Sequence, residues 1–178
     1  AGVSCIIHGQ ELSEETLDIM MEKDITFCPT MQFFYEWYSE YEPPYRPVLD
    51  KYPGKTTAEK ELNRTIANFQ AAVEKGIRIV VGSDSFCSTL TPYGKYAITE
   101  AKTLAKSGLT PMRMIMAATK NGAEMLKIDD ITGTIEVGKY ADIIVLSKNP
   151  LEDVENLDVD NMVMIMKEGK MVKRQSLV

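Results

Sequence analysis

Three short apolar runs, Val3 to Ile7, Ile25 to Cys28 and Ile77 to Gly82, constrain this chain more than any other feature. Each is too short for a helix, and the stretches between and after them carry helical spacing. Runs of this kind, bounded by turn residues, read as buried strands. Strands alternating with helices predict an α/β fold with a parallel sheet. The helices carry their own start signals. Ser13 can cap a helix whose first turn holds Glu14 and Glu15, acids suited to its positive end, and Leu17, Met20 and Met21 then share a face. Thr56 and Glu59 are spaced as a capping box ahead of Leu62, Ile66, Phe69 and Val73, and that helix is expected to end near Gly76. Two more helices are expected, roughly Tyr96 to Ser107 and Pro111 to Leu126. Thr110 caps the second, and Pro111 takes its first position.

After Gly133 the pattern changes. Ile143 to Leu146 and Val163 to Met166 read as strands, and Glu168-Gly169 makes a tight turn into Met171-Val172. The chain therefore divides into an α/β part, residues 1–132, and a small all-β part, residues 133–178. From Thr30 to Lys55 runs a stretch rich in proline and aromatics (Phe33, Phe34, Tyr35, Trp37, Tyr38, Tyr41, Tyr45) with no period. A long loop after a strand suits either a binding region or lid, or a surface excursion used in oligomer contact. The sequence opens at Ala1 directly in a strand pattern, although such a strand needs neighbours on both sides. The expectation is a truncated or processed start, or a fragment of a longer gene.

Composition narrows the partners. A net charge of −6 argues against nucleic acid, which needs clustered Lys and Arg to neutralise phosphates. No apolar run approaches the roughly 20 residues that span a bilayer. Cys5, Cys28 and Cys87 form no CxxC pair and read as reduced thiols, which predicts a cytoplasmic location.

His8, the only histidine, and Asp84 each follow an apolar run directly or closely. In a closed parallel barrel, side chains at the C-terminal strand ends converge on one mouth. An imidazole and a carboxylate meeting there suit a divalent metal. On spacing alone the plainer reading is better supported: a hydrogen-bonded core histidine, and a carboxylate capping its loop. Two ligands also fall short of the three or four that protein zinc sites normally use.

A wider pattern bears on this. Ala1-Gly2-Val3 through Ile7-His8-Gly9, Val80-Val81-Gly82-Ser83-Asp84-Ser85, Gly108-Leu109-Thr110-Pro111-Met112 and Ala117-Ala118-Thr119-Lys120-Asn121 resemble the metal-dependent amidohydrolases. Imidazolonepropionase-like and Xaa-Pro dipeptidase (prolidase)-like members are the nearest branch. The resemblance continues through Gly133-Thr134-Ile135-Glu136-Val137-Gly138-Lys139-Tyr140-Ala141-Asp142, its most specific part, and Asn149-Pro150-Leu151-Glu152-Asp153, to Val172.

The resemblance implies the C-terminal part of a (β/α)8 TIM barrel, about strands six to eight, followed by part of a β-sandwich. It implies that His8 is the metal ligand after the sixth strand. Asp84 would be the ligand after the eighth, and would take the proton from the attacking water. The metal would be divalent, zinc by the same resemblance, and the substrate a small amide, dipeptide or N-acyl amino acid. The chain departs from the family at several points. The His-x-His pair, the bridging lysine and the fifth-strand histidine have no counterpart, so an N-terminal barrel half is missing. Ile7 stands where many relatives have glutamate. Tyr93, followed by Gly94, stands where many have histidine, which makes Tyr93 a candidate substrate contact. Isolated, the chain is expected to be inactive, and its open sheet edge predicts a homo-oligomer. The rival readings are a non-catalytic half-barrel module binding through its aromatic stretch, and one half of a split enzyme.

Overall fold

A computed structural model describes residues 2–32, 55–85 and 94–174. The aromatic stretch from Phe33, Cys87 and Tyr93 lie outside the described residues, as do the side chains of Thr56 and Glu59. The expectations placed on them are not addressed by the structure.

The first strand, β1 (Cys5–Ile7), runs parallel to β2 (Thr26–Cys28), with Cys5 opposite Thr26 and Ile7 opposite Cys28. Between them α1 (Glu14–Glu22) begins as its sequence dictates: the Ser13 hydroxyl accepts from the Thr16 amide at 3.1 Å, and Glu14 and Glu15 fill the first turn. Leu17 and Met20 are buried beneath it. Met21, expected on the same face, is exposed: α1 packs on one side only, and the i+4 position falls at the rim.

The third apolar run differs from expectation. Ile77 to Gly82 forms no full strand, only a parallel bridge between Ile79 and Phe27. Two backbone bonds carry it, from the Phe27 amide to Arg78 O and from the Val80 amide to Phe27 O. Helical residues satisfy groups that a next strand would otherwise take. The Asn121 side chain donates to Ile79 O at 2.9 Å, and the Val81 amide donates to Ala117 O at 3.1 Å.

The remaining helices are α2 (Lys55–Glu74), α3 (Tyr96–Lys106), α4 (Pro111–Ala118) and α5 (Lys120–Leu126). α2 begins at Lys55 and already includes Thr56, which the capping-box reading places just outside the helix. Thr110 caps α4, with Pro111 at its start. The single helix expected from Pro111 to Leu126 is broken at Thr119, which leaves helical geometry at φ −132° and ψ −91°. The break turns Asn121 towards Ile79, and Gly133 packs into it; a Cβ on Gly133 would lie 2.5 Å from the Ala123 Cβ. Phe27, Phe69, Leu17, Met20, Ile77, Ile79, Leu104 and Met114 form one core between strands and helices.

The C-terminal residues form a separate antiparallel sheet of β3 (Ile143–Leu146), β4 (Met162–Lys167) and β5 (Lys170–Arg174), in that order. Glu168 and Gly169, both at positive φ, close the β4–β5 hairpin. Asp142 ties this turn down: it accepts from the Glu168 amide at 2.8 Å and pairs with Lys167 at 2.7 Å. Those two contacts hold its carboxyl below the usual range. Lys139 reaches back to Thr134 at 2.6 Å. The most distinctive stretch of the sequence is therefore architectural: it threads the chain from α5 into the sheet and pins the hairpin. Val154 and Leu157 then pack against the main core, and Lys102 of α3 pairs with Glu155 and Asp158 beside them.

Candidate metal centre

The parallel strands end at one edge, and the backbone there is unusual. His8 follows β1, Thr30 follows β2 closely, and Asp84 follows the Ile79 run; all three have left-handed φ values, 70°, 51° and 49°. For a β-branched threonine this is an outlier, and such conformations cost on the order of 1–3 kcal/mol unless the surroundings enforce them. Strain of this kind collects at functional sites.

The strained turns bring three side chains together. His8 Nε2 stands 3.9 Å from Asp84 Oδ2, and the two side chains are 44% and 42% exposed. The gap is too long for a hydrogen bond. It lies within the span, up to about 4.2 Å, open to two donors each about 2.1 Å from one ion. A neutral imidazole nitrogen and a carboxylate oxygen are the donor types that zinc takes. On the far side of the ring, Nδ1 lies 2.7 Å from Thr30 Oγ1. The Thr30 hydroxyl lies 2.7 Å from Pro29 O as well, and donating there leaves its oxygen to accept from the ring. In that arrangement the ring proton sits on Nδ1, and the Nε2 lone pair faces Asp84. A partner that fixes the tautomer in this way is what orients histidine ligands in metal sites.

His8 is thus no apolar-core histidine. Among the described residues, however, no three His, Cys, Asp or Glu side chains gather closely enough to hold an ion. Cys28 does not add a donor. It is buried, its Sγ would lie 2.3 Å from a Cβ at position 82, and burial, then the charges of Cys5, Glu100 and Asp84, push its thiol up to about 12. A thiol so held is a poor donor to an ion.

Sequence reading missed Thr30 and a second residue, Glu100 on α3. Glu100 is fully buried, and its carboxylate accepts from the Met31 amide at 2.9 Å and the Gln32 amide at 2.6 Å. Burial outweighs those two bonds and raises its pKa to about 7. In the unfolded chain the group titrates near 4.5, its ordinary value. Between those values the folded protein keeps a proton that the unfolded chain has released, so this group's contribution to stability falls as pH rises through the window. Cys28, the titratable neighbour, stays protonated throughout. A Glu100→Gln variant is expected to lose this slope. Melting profiles from about pH 4 to about pH 8 that run parallel for variant and wild type would contradict the assignment.

Comparison with known proteins places these residues in a family. The chain is 28% identical to the ochratoxinase of Aspergillus niger over 97% of its length, which is 34% of that enzyme. It is 36% identical over 110 residues, 56% of the chain, to a 5-methylthioadenosine/S-adenosylhomocysteine deaminase of Halalkalibacterium halodurans. Among solved structures, a Xaa-Pro dipeptidase with methionine in its active site superposes with a TM-score of 0.78 and 28% identity, covering 97% of this chain and 40% of that one. The chain thus spans about a third of the length of the ochratoxinases it matches. The α/β fold is that of part of these larger proteins. Residues 4–172 match the amidohydrolase family, and the chain belongs to it.

Proposed function

We propose that this chain contributes His8 and Asp84 to the metal site of an enzyme that hydrolyses a C–N bond in a small amide, such as a dipeptide or an N-acyl amino acid. The observation that carries this reading is the 3.9 Å approach of Nε2 to Oδ2, with Nδ1 engaged by Thr30. The likeness to a dipeptidase structure over 97% of the chain, at 28% identity, supports an amide substrate. Residues 1–132 are read as strands six to eight of the barrel, and residues 133–178 as part of a β-sandwich. The remaining ligands then come from the barrel strands these relatives have outside the matched stretch.

A bound divalent ion, zinc by preference, supplies a water of lowered pKa and polarises the scissile carbonyl. His8 presents a lone pair at Nε2, held there by the Nδ1 contact. Asp84 offers one oxygen to the ion and a carboxylate base to accept the water's proton at the strand end. Tyr93 is assigned to substrate contact on the family resemblance alone.

The test is a hydrolysis assay against a panel of dipeptides and N-acyl amino acids, run on the 178-residue chain and on a polypeptide that adds the remaining barrel strands. Turnover in the longer protein that chelation removes and Zn2+ restores is the expected result, with none in the shorter chain. Full turnover in the presence of chelator would refute the metal reading.

A further inference from the structure

The contact that orients His8 is itself held from behind. Thr30 sits in a backbone conformation that a threonine does not keep unaided, at φ 51°. Its side chain is engaged by His8 and Pro29 O. The next two residues are gripped from α3: Glu100 takes the Met31 and Gln32 amides, one on each carboxylate oxygen, and the Thr103 hydroxyl donates to the Gln32 side-chain oxygen. Glu100 and Thr103 lie one turn apart on the same buried face. Thr30, Met31 and Glu100 are all buried, so water cannot stand in for the Met31 amide bond.

We propose that Glu100 is a positioning residue for the His8 site: holding the Met31 and Gln32 amides fixes the Thr30 turn, and Thr30 fixes the Nδ1–H tautomer of His8. The chain of contacts is continuous, from α3 to the segment after β2 to the imidazole after β1. Carboxylate is the group it requires. A glutamine can accept one amide but turns its own NH2 towards the other, and two donors then face each other. The released turn relaxes away from its strained φ and withdraws the acceptor from Nδ1. The consequence for catalysis rests on the metal reading above; the coupling of Glu100 to His8 does not.

One imidazole reports the result, because His8 is the only histidine. A long-range 1H–15N spectrum of the metal-free 178-residue chain at about pH 8, above the ordinary titration of histidine, reads the tautomer directly. Wild type is expected in the Nδ1–H form, and Thr30→Ala gives the spectrum of a ring released from its partner. Glu100→Gln is expected to move most of the way to that spectrum. A Glu100→Gln chain that melts at lower temperature but keeps the wild-type tautomer shows a merely structural role and overturns the proposal, as does a wild-type ring without Nδ1–H. If Glu100→Gln fails to fold, Glu100→Asp replaces it, a carboxylate one methylene too short to hold both amides; a partial shift supports the proposal and an unchanged spectrum overturns it. In the longer, metal-loaded protein the same substitution is expected to weaken zinc binding about 10- to 100-fold. Zinc that leaves wild-type His8 unmoved there counts against the metal reading, whatever the tautomer does.

Discussion

Asp84→Asn is expected to lower kcat/KM by about 10³-fold or more in a protein carrying the full ligand set. The asparagine keeps the shape of the side chain but has no basic oxygen to take a proton, and general-base catalysis alone is worth about 10²- to 10⁴-fold. Loss of an anionic donor beside His8 Nε2 also weakens the metal. The backbone should not object: Asp84 sits at φ 49°, where asparagine is among the most tolerant residues. Unfolding free energy is therefore expected within about 0.5 kcal/mol of wild type. Activity within tenfold of wild type would remove Asp84 from the chemistry.

The second large effect is on stability. Phe27→Ala is expected to cost about 3–5 kcal/mol, the usual range for a phenylalanine lost from a packed core. Phe27 is 1% exposed, and its strand lies between β1 and the Ile79 run. Its ring also supports the site from below, since a Cβ on Gly9 would lie only 2.6 Å from it. The cavity would open directly beneath the His8 turn. Against a typical total of about 5–15 kcal/mol this is a large fraction. Urea unfolding measures it, and a loss below about 1 kcal/mol would show that the core is elsewhere.

Local signals carried much of the architecture. Ser13 and Thr110 cap the helices they precede, and the changed pattern after Gly133 marks the antiparallel sheet. What the sequence hid was set by tertiary contacts. The helix expected to run from Pro111 to Leu126 breaks at Thr119, where Asn121 reaches Ile79 O. The third strand is reduced to a bridge for the same reason: helices occupy its outer polar groups. At the site, His8 and Asp84 stood out by position after apolar runs, and the structure brings them together. Thr30 did not, because nothing in a Pro-Thr pair announces a left-handed turn. Glu100 had a signal that went unread. It falls between Tyr96 and Leu104 at spacings of four, on the face of α3 that is buried. A carboxylate in that position needs donors, and the Met31 and Gln32 amides supply them.

The central claim is that His8 and Asp84 hold one ion. Crystals of the protein carrying the remaining barrel strands, grown with Zn2+ and measured at the zinc absorption edge, test it directly. The account predicts an anomalous peak about 2.0–2.2 Å from both His8 Nε2 and an Asp84 carboxylate oxygen, with Nδ1 still bonded to Thr30. A fully occupied zinc bound elsewhere, with His8 Nε2 hydrogen-bonded to protein or water, would contradict it.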